Sequence, residues 1–170
     1  KDQDDEKAYN DLNQLLKFCD QQSFEQYEVS NYSKKGFESI HNSNYWNFTP
    51  YIGFGPSAHS YYDQSRFWND SSLKKYIAAV DAGILYSGME QLSLYDQFNE
   101  TIMLGLRTKN GVNLEEIEKK YGEVLKQHLL HILKTLPCDL YFIQNNRFVL
   151  TRKGLSIADY IIEKLIWSED

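Results

Sequence analysis

A mixed α+β fold ending in a small winged-helix-like unit is the class this sequence predicts. Apolar residues recur at helical spacing from Asp4 to Cys19, then give way to period-two alternation from Phe24 to Asn31. After Asn110-Gly111, two helical stretches, an apolar hairpin and a last helix follow in turn. Those two patterns are incompatible with an all-helical or an all-strand chain.

In the first helix Ala8, Leu12, Leu15, Leu16 and Cys19 share one face. In the strand that follows, Phe24, Gln26 and Val29 oppose Glu25, Glu28 and Ser30, and Lys34-Lys35-Gly36 ends it. Helix, loop and strand form one αβ step, whose strand needs neighbours. Tyr51-Ile52-Gly53-Phe54 reads as a short buried strand broken by glycine. Ser72 can cap a helix bearing Leu73, Tyr76, Ile77 and Val80, closed by Gly83. Ser93 with Asp96 resembles a capping box for a helix running to about Thr108.

Asn110-Gly111 is a turn and the expected domain boundary. Helix Leu114–Tyr121 breaks at Gly122, and helix Glu123–Leu136 follows. Strand Leu140–Gln144 and strand Arg147–Thr151 flank Asn145-Asn146, residues that tolerate the positive φ of a tight hairpin. A final helix, Gly154–Trp167, presents Leu155, Ala158, Ile161, Ile162 and Leu165. The expected organisation is therefore residues 1–62, a connecting helical segment 63–110, and a winged-helix-like domain 111–170.

With 170 residues, 42% hydrophobic and 25% charged, the composition is that of an ordinary globular protein. Tyrosine is abundant, at 13 residues, and suits either a core or a ligand groove. The net charge of -6 argues against a nucleic-acid polymer as partner. Acidic and basic side chains nearly balance from Asn113 onward, so the predicted recognition helix lacks the basic stripe of a DNA reader. Cys19 and Cys138 lie too far apart in sequence for a metal motif or a disulfide framework. No apolar run reaches membrane-spanning length, and a cytoplasmic setting is expected.

The densest chemistry lies at His41-Asn-Ser-Asn-Tyr45-Trp46 and at Gly53-Phe-Gly55-Pro-Ser-Ala58-His59-Ser60. His41 can serve as axial ligand to a haem iron, with Tyr45 and Trp46 packing on the macrocycle. The competing reading has His41 satisfying backbone groups while the two aromatics fill core. Gly53, Gly55 and Ala58 read as a cofactor-cradling turn or simply as a tight turn, and His59 shares both readings. His128 and His131, three apart on a helix, read as boundary or surface residues rather than a metal pair.

Several segments together resemble the oxygen-independent coproporphyrinogen III oxidase family of radical S-adenosylmethionine (SAM) proteins, and most of all its haem-chaperone branch. They are Tyr27-Glu-Val-Ser-Asn-Tyr-Ser33, Gly36-Phe-Glu-Ser39, the His41–Trp46 and Tyr51–Ser60 blocks, Met103-Leu-Gly-Leu-Arg107 with Gly111-Val112, and Leu150-Thr-Arg-Lys-Gly154. The resemblance implies that the first 62 residues or so are the C-terminal remnant of a partial β/α barrel. It implies that His41 is the histidine offered to haem, and that Gly53, Gly55, Ala58 and His59 lie at the barrel mouth near cofactor and substrate. A 4Fe–4S cluster and SAM are expected only in a full-length parent, because the family's Cys-x3-Cys-x2-Cys motif is absent. Lys1 then reads as an internal starting point, and radical chemistry is not expected of this chain alone.

The functional expectation is haem binding and transfer to a recipient protein that the sequence does not name. The alternatives are the substrate-side part of a true oxidase, which converts propionates to vinyls, and a non-enzymatic winged-helix interaction module. Strand edges near Val29 and Ile52 are expected to be open and to invite dimerisation.

Overall fold

The structure, a computed structural model, describes residues 2–168, and the side chains of Lys7 and of Asn10 onward. Helix α1 (Asp2–Gln21) leads into a two-residue hairpin, β1 (Glu25–Gln26) and β2 (Tyr32–Ser33). Helix α2 (Ile40–Trp46) follows. Strands β3 (His59–Tyr62), β4 (Ser65–Trp68) and β5 (Gly88–Gln91) form an antiparallel sheet in that order, with α3 (Leu73–Asp81) between β4 and β5. The last part holds α4 (Leu94–Gly105), β6 (Val112–Asn113), α5 (Leu114–Tyr121) and α6 (Glu123–Leu133). Strands β7 (Tyr141–Gln144) and β8 (Arg147–Leu150), then α7 (Arg152–Leu155) and α8 (Ala158–Leu165), complete it. The second three-stranded sheet has the order β6-β8-β7.

One apolar cluster forms the core, and all its members lie between Phe98 and Leu165. Phe98 and Ile102 of α4 and Leu106 just after it cluster with Ile117 of α5, Phe148 of β8, Leu129 of α6 and Ile161 and Leu165 of α8. The expected hairpin turn is present, Asn145 and Asn146 taking φ of 51° and 58°. Asn113 caps α5 by accepting from the Glu115 amide at 3.0 Å. The capping box that opens α4 forms as the sequence implies, with Ser93 and Asp96 exchanging bonds at 2.9 and 3.1 Å.

The structure differs from several local expectations. The final helix is two helices, because Ile157 leaves the helical region (φ −128°, ψ 31°) and lets α8 turn its apolar face into the core. Gly154 anchors that break: a Cβ there would meet the Leu140 carbonyl oxygen at 2.1 Å. The span 63–110, expected to be helical, carries β4 and β5 as well as α3 and α4. Tyr51–Phe54 is not a buried strand: only Tyr51 bridges, to Tyr61, while Ile52 and Phe54 are 64% and 84% exposed.

Glu28, expected on a polar face, is 1% exposed and its Oε1 has no hydrogen-bond partner. Its backbone explains the burial. Residues 27–29 lie against the loop after α4, where Glu28 bridges Thr108, the Val29 amide donates to Arg107 O at 2.8 Å and the Lys109 amide donates to Tyr27 O at 3.0 Å. The edge at Val29, expected to be open, is thus occupied. Of the α1 face, Cys19 is buried, Leu15 is exposed, and Ala8 lies outside the described side chains.

Candidate functional site

Helix α2 begins at Ser39, whose Oγ accepts from the Asn42 amide at 3.2 Å. It ends with the Thr49 amide donating to Asn44 O at 3.1 Å across Phe48, which sits at φ 55°. This is the helix-ending geometry that normally takes glycine. Holding a bulky L-residue there costs roughly 1–2 kcal/mol. Phe48 accepts that strain with its ring 6.1 Å from Tyr61.

His41 and Tyr45 stand four residues apart on one face of α2. Their rings meet edge to face at 5.1 Å and 89°. Tyr45 in turn touches Tyr51 at 4.8 Å, and Tyr51 lies nearly parallel to Tyr61 at 6.4 Å. The result is a row of aromatic rings, exposed at His41 and Tyr45 and half-buried at Tyr51 and Tyr61. Burial holds the Tyr51 and Tyr61 hydroxyls above the ordinary phenol pKa.

Trp46 goes elsewhere. Five residues after His41, it lies about 140° round the helix axis. It lines a cleft of about 310 Å³ with Phe48, facing α4 and α5. The structure therefore brings His41 and Tyr45 together and separates Trp46 from them.

The glycine turn is held from within. Gly53 N donates to the buried Ser60 Oγ at 2.9 Å, and Gly55 N donates to the Tyr76 hydroxyl at 3.1 Å. Asn69, buried at 6% exposure, donates to the carbonyls of Gly53 and Gly55 at 3.3 and 2.9 Å. A Cβ on Gly53 would meet His59 O at 2.1 Å, so glycine is required by close approach. Two of the amides that would cradle a phosphate are already engaged. Ala58 completes the turn, its amide donating to Gly55 O at 3.2 Å, and delivers an exposed His59 to a recess lined by Tyr51, Arg66, Trp68 and Glu90.

Arg66 and its partner Glu100 were not foreseen. The two lie 34 positions apart in sequence, and no local pattern joins them. Phe48 carried no signal either, since its role follows from a backbone conformation that sequence does not advertise for phenylalanine.

Residues 92–157 match the family model described as the HemN C-terminal domain. The chain is 38% identical over 112 residues to the heme chaperone HemW of Bacillus subtilis (strain 168), covering 65% of this chain and 30% of that protein. It is 32% identical over 144 residues to the heme chaperone HemW of Lactococcus lactis subsp. lactis (strain IL1403), covering 84% of this chain and 38% of that one. Its fold matches a solved structure of coproporphyrinogen III oxidase (HemN) from Escherichia coli, a radical SAM enzyme, with TM-score 0.71 and 17% identity. That match covers 91% of this chain and 40% of the other.

The fold mixes helix and sheet and is similar to the C-terminal region of HemN. Residues 92–157 belong to the HemN C-terminal domain family, and curated relatives of the chain are named heme chaperone HemW. The chain spans about a third of the length of those relatives.

Proposed function

We propose that this chain supplies the haem-contacting surface of a haem-handling protein. His41 is the axial ligand to the haem iron, and Tyr45 steadies its imidazole. One observation carries the reading: an exposed imidazole in the first turn of α2, held edge to face by Tyr45 at 5.1 Å, at the head of an aromatic row. Neutral imidazole is a ready haem-iron ligand, and the flat faces beside it suit a planar macrocycle. The names of the relatives support the same cargo. In this reading Gly53, Gly55 and Ala58 set the position of His59 in the recess beside Tyr51 and Trp68, and Trp46 supports α2 from behind.

Haem is cargo here, not a resident group. A 4Fe–4S cluster does not fit the described residues, among which no group of three or more His, Cys, Asp or Glu side chains could hold a metal. Cys19 is buried and Cys138 is exposed, and both are free. No described helix is long and apolar enough to cross a membrane. We also read residues 1–62 as the end of a partial β/α barrel and 111–170 as a winged-helix-like packing unit. The β6-β8-β7 sheet beside α5, α6 and α8 supports the second assignment, and the fold match supports the first.

A haemin titration followed by absorbance tests the proposal. The unmodified chain and His128→Ala are expected to give a saturable, sharpened Soret band that His41→Ala loses. Equal binding in all three proteins would remove His41 as the ligand. Equal affinity for iron-free protoporphyrin would assign the surface to macrocycle binding without iron ligation.

A further inference from the structure

The cleft behind α2 runs along the side of α5, where Asn113, Glu116 and Lys120 face Trp46 and Phe48 across it. A cation marks each end. Arg147 stands opposite Asn113 on the neighbouring strand and donates to the Asn110 carbonyl at 3.2 Å. Lys120 stands seven residues along α5 from Asn113, about 10 Å at the helical rise. Its ammonium lies 5.7 Å from the Phe48 ring centre and 5.0 Å from that of Tyr121.

Among the described residues neither cation pairs with a carboxylate. Glu116, the acid in the lining, is held by the Asn113 side-chain amide at 3.1 Å and offsets part of that charge. The aromatic wall is also fixed at a cost, since Phe48 occupies a backbone conformation that glycine would take more readily. Backbone strain retained beside a cleft is a mark of a working site. Ring faces on one wall and a cation at either end specify a flat molecule with two anionic ends.

We propose that this cleft binds a small planar aromatic dianion, its rings against Trp46 and Phe48 and its anionic groups at Lys120 and Arg147. At about 310 Å³ the cleft sits at the small end of ligand pockets, which suits one or two fused rings rather than a tetrapyrrole. His41 does not line it, so the site is separate from the haem reading.

Naphthalene-2,6-dicarboxylate is the probe, titrated into the ¹⁵N-labelled chain while the three tryptophan indole signals are followed. The Trp46 indole, assigned with Trp46→Phe, is expected to shift saturably while Trp68 and Trp167 stay still. Lys120→Gln and Arg147→Gln are each expected to weaken binding about tenfold, the scale of one charge-assisted hydrogen bond. Lys119→Gln, with the same change of charge outside the cleft, and His41→Ala are expected to leave it unchanged. Absence of a Trp46 shift, equal weakening by Lys119→Gln, or equal binding of the neutral 2,6-dimethylnaphthalene would overturn the proposal. Far-UV circular dichroism checks that each variant is folded.

Discussion

Arg66 on β4 closes on Glu100 of α4 at 2.5 Å, tying the three-stranded meander to the helix that heads the core. Glu100 is 8% exposed, and burial raises its carboxyl above the ordinary value of 4.5 while Arg66 draws it back. A folded pKa above the unfolded one favours the protonated form. Its contribution to stability is therefore full below 4.5 and is lost as pH rises through the folded value.

Removing Arg66 should leave that carboxylate buried and unpaired. Arg66→Met is expected to cost about 1–3 kcal/mol at pH 7, less than a fully buried pair because Arg66 is partly exposed. Glu100→Gln is expected to cost less. Denaturant melts at pH 7 and pH 5 check this: the Arg66→Met deficit should shrink at pH 5, where Glu100 can protonate.

Phe48 gives a second test, of backbone rather than charge. Phe48→Ala and Phe48→Gly delete the same ring contacts with Tyr61 and Lys120. Only glycine relieves the left-handed φ of 55°. The glycine variant is therefore expected to be more stable than the alanine variant by about 1 kcal/mol, opposite to their order inside a helix. Urea denaturation of both variants reads the difference directly.

Asp20 at the end of α1 meets Arg152 of α7 through two bonds, at 2.7 and 2.5 Å. The guanidinium holds the Asp20 carboxyl below its usual 3.8. A depressed folded pKa contributes stability above 3.8 that is lost as pH falls through the folded value beneath it. Asp20→Asn is expected to loosen the last turn of α1 at pH 7. Heteronuclear NOEs there should fall in the variant and, for the unmodified chain, should fall to match only in acid below 3.8.

Legibility from sequence followed the range of the interactions. The capping box at Ser93 and the Asn145-Asn146 hairpin depend on residues three apart or fewer, and both were readable. The amphipathic spacing of the last helix likewise placed Ile161, Ile162 and Leu165 in the core. Tyr51–Phe54 misled because apolar character was taken for burial, whereas Ser60, Asn69 and Tyr76 hold that segment as a turn with its large side chains outward. Glu28 misled in reverse: its alternation was visible, but the loop at Arg107–Lys109 that covers it was not. At the candidate site the motif announced its residues and not their directions, so Tyr45 and Trp46 looked like one surface.

Seven residues of α2 span roughly 10 Å, too short a rod to bend between its ends. His41 points from one side and Trp46 from another, and the strained turn at Phe48 follows directly. A rigid rotation of α2 turns both backbones by the same angle, so the packing of Trp46 in its cleft bears on where the imidazole sits.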